Sequence, residues 1–173
     1  MNKEGQIVEQ LLSDNIDIVK GAVEMVKKST NPQFIQPLVA LFVSTTDVEL
    51  KEDLRHMLNT IKVKGFEDEL MHCLRKPAWK KDYGAIMAFM WNAGGNPTEF
   101  VRELLSIAIS GGPETMLECF SIIEVMEGPL SEEQLIESQT LLHDAHQKEA
   151  NEYNKNLIAL LSNAIADKEI DID

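Results

Sequence analysis

The feature that most constrains this chain is a period. Phe34, Phe66, Phe100 and Leu135 follow one another at intervals of 32, 34 and 35 residues. Leu38, Leu70 and Leu104 keep the same beat, as do Leu41, Cys73, Ile107 and Leu142, and a second series runs through Val26, Leu58, Met90 and Ile123. Around these positions apolar residues recur with the spacing of a helix face, as in Ile18, Val19, Ala22, Val23 and Val26. A period of this size carrying two helices per unit marks a stacked-helix array, in which no unit buries its apolar face alone and neighbours close a continuous core. A helical bundle with evenly spaced loops would accommodate the same helix and link lengths. Matched residue types at matched phase favour the array.

Turn chemistry divides the period into helices. Ser13-Asp14-Asn15, Ser29-Thr30-Asn31-Pro32 and Thr45-Thr46-Asp47 supply side-chain caps, and Ser131 with Gln134 makes a capping-box pattern. Lys64-Gly65, Gly94-Gly95-Asn96-Pro97, Gly111-Gly112-Pro113 and Gly128-Pro129 interrupt the chain. The spacing predicts helices over about 3–12, 15–29, 32–43, 48–62, 78–93, 97–109, 113–127, 131–146 and 148–167, with a further apolar run through Phe66, Leu70, Met71, Cys73 and Leu74 between Lys64-Gly65 and Pro77. With nine glycines and six prolines the chain is poor in turn-formers, which argues against a sandwich or barrel. Its length suits one hydrophobic core. The expected organisation is a single helical-repeat domain over 1–168 and an acidic C-terminal tail over 169–173.

The run Asp47-Val48-Glu49-Leu50-Lys51-Glu52-Asp53-Leu54-Arg55-His56-Met57-Leu58 resembles the second helix of a HEAT or armadillo-type repeat. That family favours an acidic cap, then an acidic, an aliphatic and a basic residue, then further aliphatics; Asp47, Glu49, Leu50, Lys51, Leu54 and Leu58 occupy those places. Other units depart from the pattern: Trp79-Lys80-Lys81-Asp82 has no such cap and Gly111-Gly112-Pro113-Glu114 lacks the basic residue. The Trp, Gly and Tyr positions of tetratricopeptide repeats are not found here at fixed phase. The resemblance implies an all-α fold, a right-handed α-α superhelix or HEAT-like solenoid of about five antiparallel helix pairs. It also implies that the second helix of each pair lines a concave binding face.

Charge narrows the partners. The formal net charge is −13, from 29 acidic against 16 basic side chains. Binding to DNA or RNA draws most of its energy from neutralised phosphates, so nucleic acid is disfavoured. Met1-Asn2-Lys3-Glu4-Gly5-Gln6 is polar where a signal peptide would place its apolar run, and no stretch approaches the roughly 20 apolar residues of a membrane span. Cys73 and Cys119 each sit in an apolar helical run and are too few for a disulfide framework, so free buried thiols are expected. These features point to a cytoplasmic protein with no membrane partner.

Chemistry-bearing motifs are sparse. His143 and His146 stand three apart on one helix with Glu149 three further on, a spacing that can present ligands to one metal. They lack the i, i+4 pair and intervening Glu of a zinc protease, and surface polar residues near a helix end explain them as well. No cofactor is expected.

One constellation stands out. Trp79, Tyr83, Met87 and Trp91 fall at i, i+4, i+8 and i+12 of the predicted helix 78–93, while Ile86, Phe89, Met90 and Ala93 occupy its other side. The plainer reading is a central helix buried all round. The functional one is an aromatic ridge on the concave face, since Trp and Tyr dominate binding hot spots. Arg75, Lys76, Lys80 and Lys81 cluster beside it, either snorkelling at a helix corner or forming a rim for an acidic peptide. The expected function is a non-enzymatic protein- or peptide-binding scaffold. The alternatives are a small metal-dependent or nucleic-acid-processing HEAT-like protein, and an acidic surface that mimics nucleic acid.

Overall fold

The structure is a computed structural model, and it describes residues 3–168; the acidic tail expected over 169–173 lies outside the described residues. Every regular element among them is helical. Ten α-helices follow in chain order: α1 (Lys3–Leu11), α2 (Ile16–Val26), α3 (Ile35–Ser44), α4 (Val48–Thr60), α5 (Phe66–Leu74), α6 (Tyr83–Asn92), α7 (Val101–Gly111), α8 (Pro113–Val125), α9 (Glu132–Lys148) and α10 (Glu152–Ala166). No described helix is long and apolar enough to cross a membrane.

Side-chain caps set four of the helix starts. Asn15 accepts from the amides of Asp17 and Ile18 to open α2, and Asp47 accepts from Leu50 N at 2.8 Å to open α4. Ser131 and Gln134 exchange both bonds of a capping box at α9, and Asn151 caps α10 through Asn154 N. Each satisfies an amide that the helix itself leaves without a partner. Between α7 and α8 the chain turns at Gly112, whose φ of +99° lies where a side chain would be strained. Pro113 then occupies the first helical position at no cost in hydrogen bonds.

Two helices begin differently from the sequence expectation. Pro32–Phe34 and Thr98–Phe100 are short 3-10 turns, and α3 and α7 start only at Ile35 and Val101. The expected helix 78–93 is likewise a 3-10 segment over Pro77–Asp82 followed by α6. Trp79 N bonds Lys76 O at 2.9 Å, three residues back, and the Asp82 side chain makes no capping bond. Three residues per turn replace 3.6 there, so Trp79 does not share a helical row with Tyr83.

The chain divides into two compact units, Met1–Trp79 and Lys80–Asp173, where the period had anticipated one continuous domain. In the first unit α1 packs on α2 and α3, and α3 packs on α4 and α5. Its core is built from Ala22 and Val26 of α2, Ile35 and Leu38 of α3, Leu54 of α4 and Leu70 of α5, all at most 1% exposed. In the second unit α6 packs on α8, α8 on α7 and α10, and α9 on α7 and α10. Its core holds Ile86, Met90, Leu105, Cys119, Leu161 and Ile165, again at most 1% exposed.

The periodic positions share their burial unevenly. Val26, Leu58, Met90 and Ile123 are all buried, as are Leu38, Leu70 and Leu104. Phe34 and Phe66 are buried, whereas Phe100 and Leu135 are half-buried. Phe34 and Phe100 each end a 3-10 turn and hand the chain to an α-helix, and Phe66 is the first residue of α5.

Candidate functional site

The residues expected to form an aromatic ridge separate by burial. Tyr83 is 6% exposed and Met87 is fully buried, so neither offers a surface, and burial pushes the Tyr83 phenol up from its ordinary pKa. With Ile86, Phe89, Met90 and Ala93 also buried, α6 is enclosed on nearly every side. This corrects the reading of a four-residue anchor: a helix apolar all round goes to the interior because water rewards none of its faces. Trp91 stays half-buried, and its indole Nε1–H donates to Glu118 Oε2 on α8 at 2.8 Å.

Trp79 belongs to the first unit and is also half-buried. The Lys76 ammonium lies 4.2 Å from its ring centroid and also donates to Gln36 Oε1, while Gln36 donates to Glu69. Lys76 is thus tied into a local cation–π and amide network and is not a loose cation of a rim. Arg75, Lys80 and Lys81 are exposed, the last two belonging to the second unit.

The histidine pair does not assemble a metal site. His143 is exposed and His146 half-buried, beside a cleft between α9 and α10 that also touches Gln139, Ser162 and Asn163. Glu149 is occupied elsewhere, accepting from Asn151 N at 2.8 Å and Asn154 Nδ2 at 3.2 Å, and the Asn151 amide leads in holding its carboxyl below the usual range. Among the described residues no three of His, Cys, Asp and Glu stand where they could hold a metal ion. Both thiols are buried, which pushes Cys73 and Cys119 up to about 12 and keeps them protonated.

A different surface emerges on the second unit, carried by α6, α8 and α10. The two flanks of α8 are fixed by what they touch. On one flank, Glu118 accepts from Trp91 and Glu114 packs where a Cβ on Gly84 of α6 would meet it at 3.2 Å. On the other, Phe120 and Glu124 line a groove of about 350 Å³ with Leu160, Asn163, Ala164, Asp167 and one cation, Lys168, of the α10 side. Helical spacing puts Leu117 and Ser121 on the crest between. Leu117 and Leu160 are 43% and 37% exposed, so the face mixes apolar area with carboxylates.

Sequence reasoning missed this face, although a signal was present. From Asp82 to Asp144 the chain carries eleven carboxylates and one cation, Arg102. From residue 80 onward seventeen Asp and Glu stand against six Lys and Arg, whereas twelve stand against ten before it. The negative charge of the chain belongs almost wholly to the second unit.

Comparison with protein-family models, with curated proteins and with solved structures returns no match for this chain. What the chain does must come from its own geometry.

Proposed function

We propose that the chain is a non-enzymatic binding protein of the HEAT-like helical-repeat class, presenting its even-numbered helices to a protein or peptide partner. The observation that carries this reading is the layering inside each unit. In the first, odd helices meet odd ones (α1 with α3, α3 with α5) and the pairs α1–α2 and α3–α4 close on themselves. In the second, α7 meets α9, α6 meets α8 and α8 meets α10, with α7–α8 and α9–α10 as pairs. Two layers of helices in register are the way a stacked array buries faces that single units leave open. The buried series Val26, Leu58, Met90 and Ile123 falls once on each of α2, α4, α6 and α8, which fits one repeated packing position.

Such arrays act as extended surfaces, and apolar area left among charged residues is the part of a surface that binds. Trp91, Leu117, Phe120 and Leu160 are among the apolar or aromatic side chains that α6, α8 and α10 leave wholly or partly exposed, together with Val125 and Tyr153 near the helix ends. A cytoplasmic setting accords with two thiols held free and protonated.

Panning a random-peptide display library against the full chain tests the reading. Enrichment of related peptides, lost when Leu117, Phe120 and Leu160 are replaced together by Ser in a variant that keeps its helical circular dichroism, is the expected result. A library that enriches nothing above an unrelated control protein would remove the binding-scaffold reading.

A further inference from the structure

Resting on that scaffold reading, we infer that the groove between the C-terminal halves of α8 and α10 docks a cationic peptide segment that alternates Lys or Arg with apolar side chains. Three features of the groove select this occupant. Its floor is apolar, made by Phe120, Ala164 and the 37%-exposed Leu160. Its rim carries Glu124 and Asp167, both exposed. Its backbone is negative as well, since α8 ends at Val125 and α10 at Ala166, and the last carbonyls of each helix carry the negative end of the macrodipole.

The charge placement runs against helix stability. Cations belong near helix C-termini, yet neither α8 nor α10 has a basic residue in its last turn. Glu124 stands in the last turn of α8, and Asp167 is the C-cap of α10. Two carboxylates and two carbonyl ends around one apolar trough stand against a single cation, Lys168, so the region keeps a negative potential. One ammonium already samples it: Lys168 Nζ donates to Met126 O, the carbonyl just past the end of α8, at 2.9 Å. The chain's own lysine therefore shows the bond that an incoming lysine or arginine would make.

The surroundings strengthen the selection. Glu114 and Glu118 extend the carboxylates toward α6, and the sole cation between Asp82 and Asp144, Arg102, lies 3.4 Å from Glu137 in an ion pair between α7 and α9. A polyanion or an acidic peptide would meet repulsion along the whole of α8. A peptide that is positive but lacks apolar side chains would leave the Phe120–Leu160 floor wet. Complementary charge mainly sets approach rate and specificity, while buried apolar anchors set residence.

Fluorescence anisotropy with a labelled peptide of alternating leucines and lysines, and with its glutamate-for-lysine counterpart, tests the inference on the full chain. The expected result is saturable binding of the lysine peptide, weakened by added salt, and no binding of the glutamate peptide. The double variant Glu124→Lys, Asp167→Lys should weaken binding about tenfold, and Leu160→Gln about fivefold, with helical content unchanged in both. The pair Glu9→Lys, Asp14→Lys makes the same change in net charge on the first unit and should leave affinity within about twofold. Equal weakening by both pairs would reduce the attraction to overall charge and overturn the groove. So would indifference of binding to all three groove substitutions. If the lysine peptide fails to bind while the random library still enriches other peptides, this inference falls and the scaffold reading survives; if the library is empty too, both fall.

Discussion

At the scale of single residues, the two cysteines show how burial decides chemistry. Each occupies a helix position facing the core, and each is fully buried. A thiolate needs water or a cation, and desolvation is the first cause that pushes Cys73 and Cys119 from 9.0 up to about 12. The native protein should therefore resist thiol reagents at neutral pH, and both thiols should react once denaturant exposes them. Fast labelling of either thiol in the native state would contradict the packing described. The same shift has a consequence for stability. A thiol that holds its proton more tightly when folded adds stability that is complete below about pH 9 and lost as pH rises toward about 12. The slope reaches about 1.4 kcal/mol per pH unit for each thiol. Denaturant midpoints measured at pH 8 and near pH 11 should fall more steeply in the wild type than in Cys119→Ala. Parallel falls would show that other groups set the alkaline limit.

At the scale of elements, most of the fold was legible because helix boundaries are written in local chemistry. Asn15, Asp47 and Ser131 cap the helices their positions announce, since the oxygen that a cap needs lies only two or three residues from the amide it serves. Ser131→Ala should cost about 1 kcal/mol, because the Gln134 amide loses its acceptor at the start of α9. Ser131→Asp should keep the stability, and a thermal scan distinguishes the two. No loss in the alanine variant would mean that water replaces the cap at no expense.

What the sequence hid lies at the start of α6. Pro77 has the form of a helix opener, and nothing local tells that it and the next five residues wind with three to the turn. The ridge drawn through Trp79, Tyr83, Met87 and Trp91 assumed 3.6 residues per turn throughout. It also assumed one exposed side, but the residues opposite are equally apolar, and such a helix has no solvent face to find. Which of its aromatics reach the surface depends on neighbours far along the chain, as Trp91 does on Glu118. The candidate groove was hidden for the same reason. Phe120 and Leu160 stand 40 residues apart, and no pattern in the sequence joins them.

At the scale of the whole molecule, an average concealed a division. A net charge of −13 excludes polyanions on its face, but it does not say that the first unit is nearly neutral and the second strongly acidic. Like charges packed on one small body repel, and that repulsion works against the compact state. The stability of the second unit should therefore depend on ionic strength in a way that the first does not share. Raising salt from about 0.01 M to about 1 M shortens the screening length from about 30 Å to about 3 Å, which removes most repulsion between surface carboxylates. Amide hydrogen exchange on the full chain reads the two units separately in one experiment. Protection of α7, α8 and α10 should rise with salt, while that of α3 and α4 changes little, because Lys20 with Asp47 and Glu49, and Arg55 with Glu52, already balance charge there at 3.5 Å or less. Any general salting-in or salting-out effect acts on both units and cancels in the comparison. Equal gains in the two would mean that the acidic surface carries no stored repulsion. The excess of carboxylates would then be spread too thinly to attract a basic partner to the even-numbered helices.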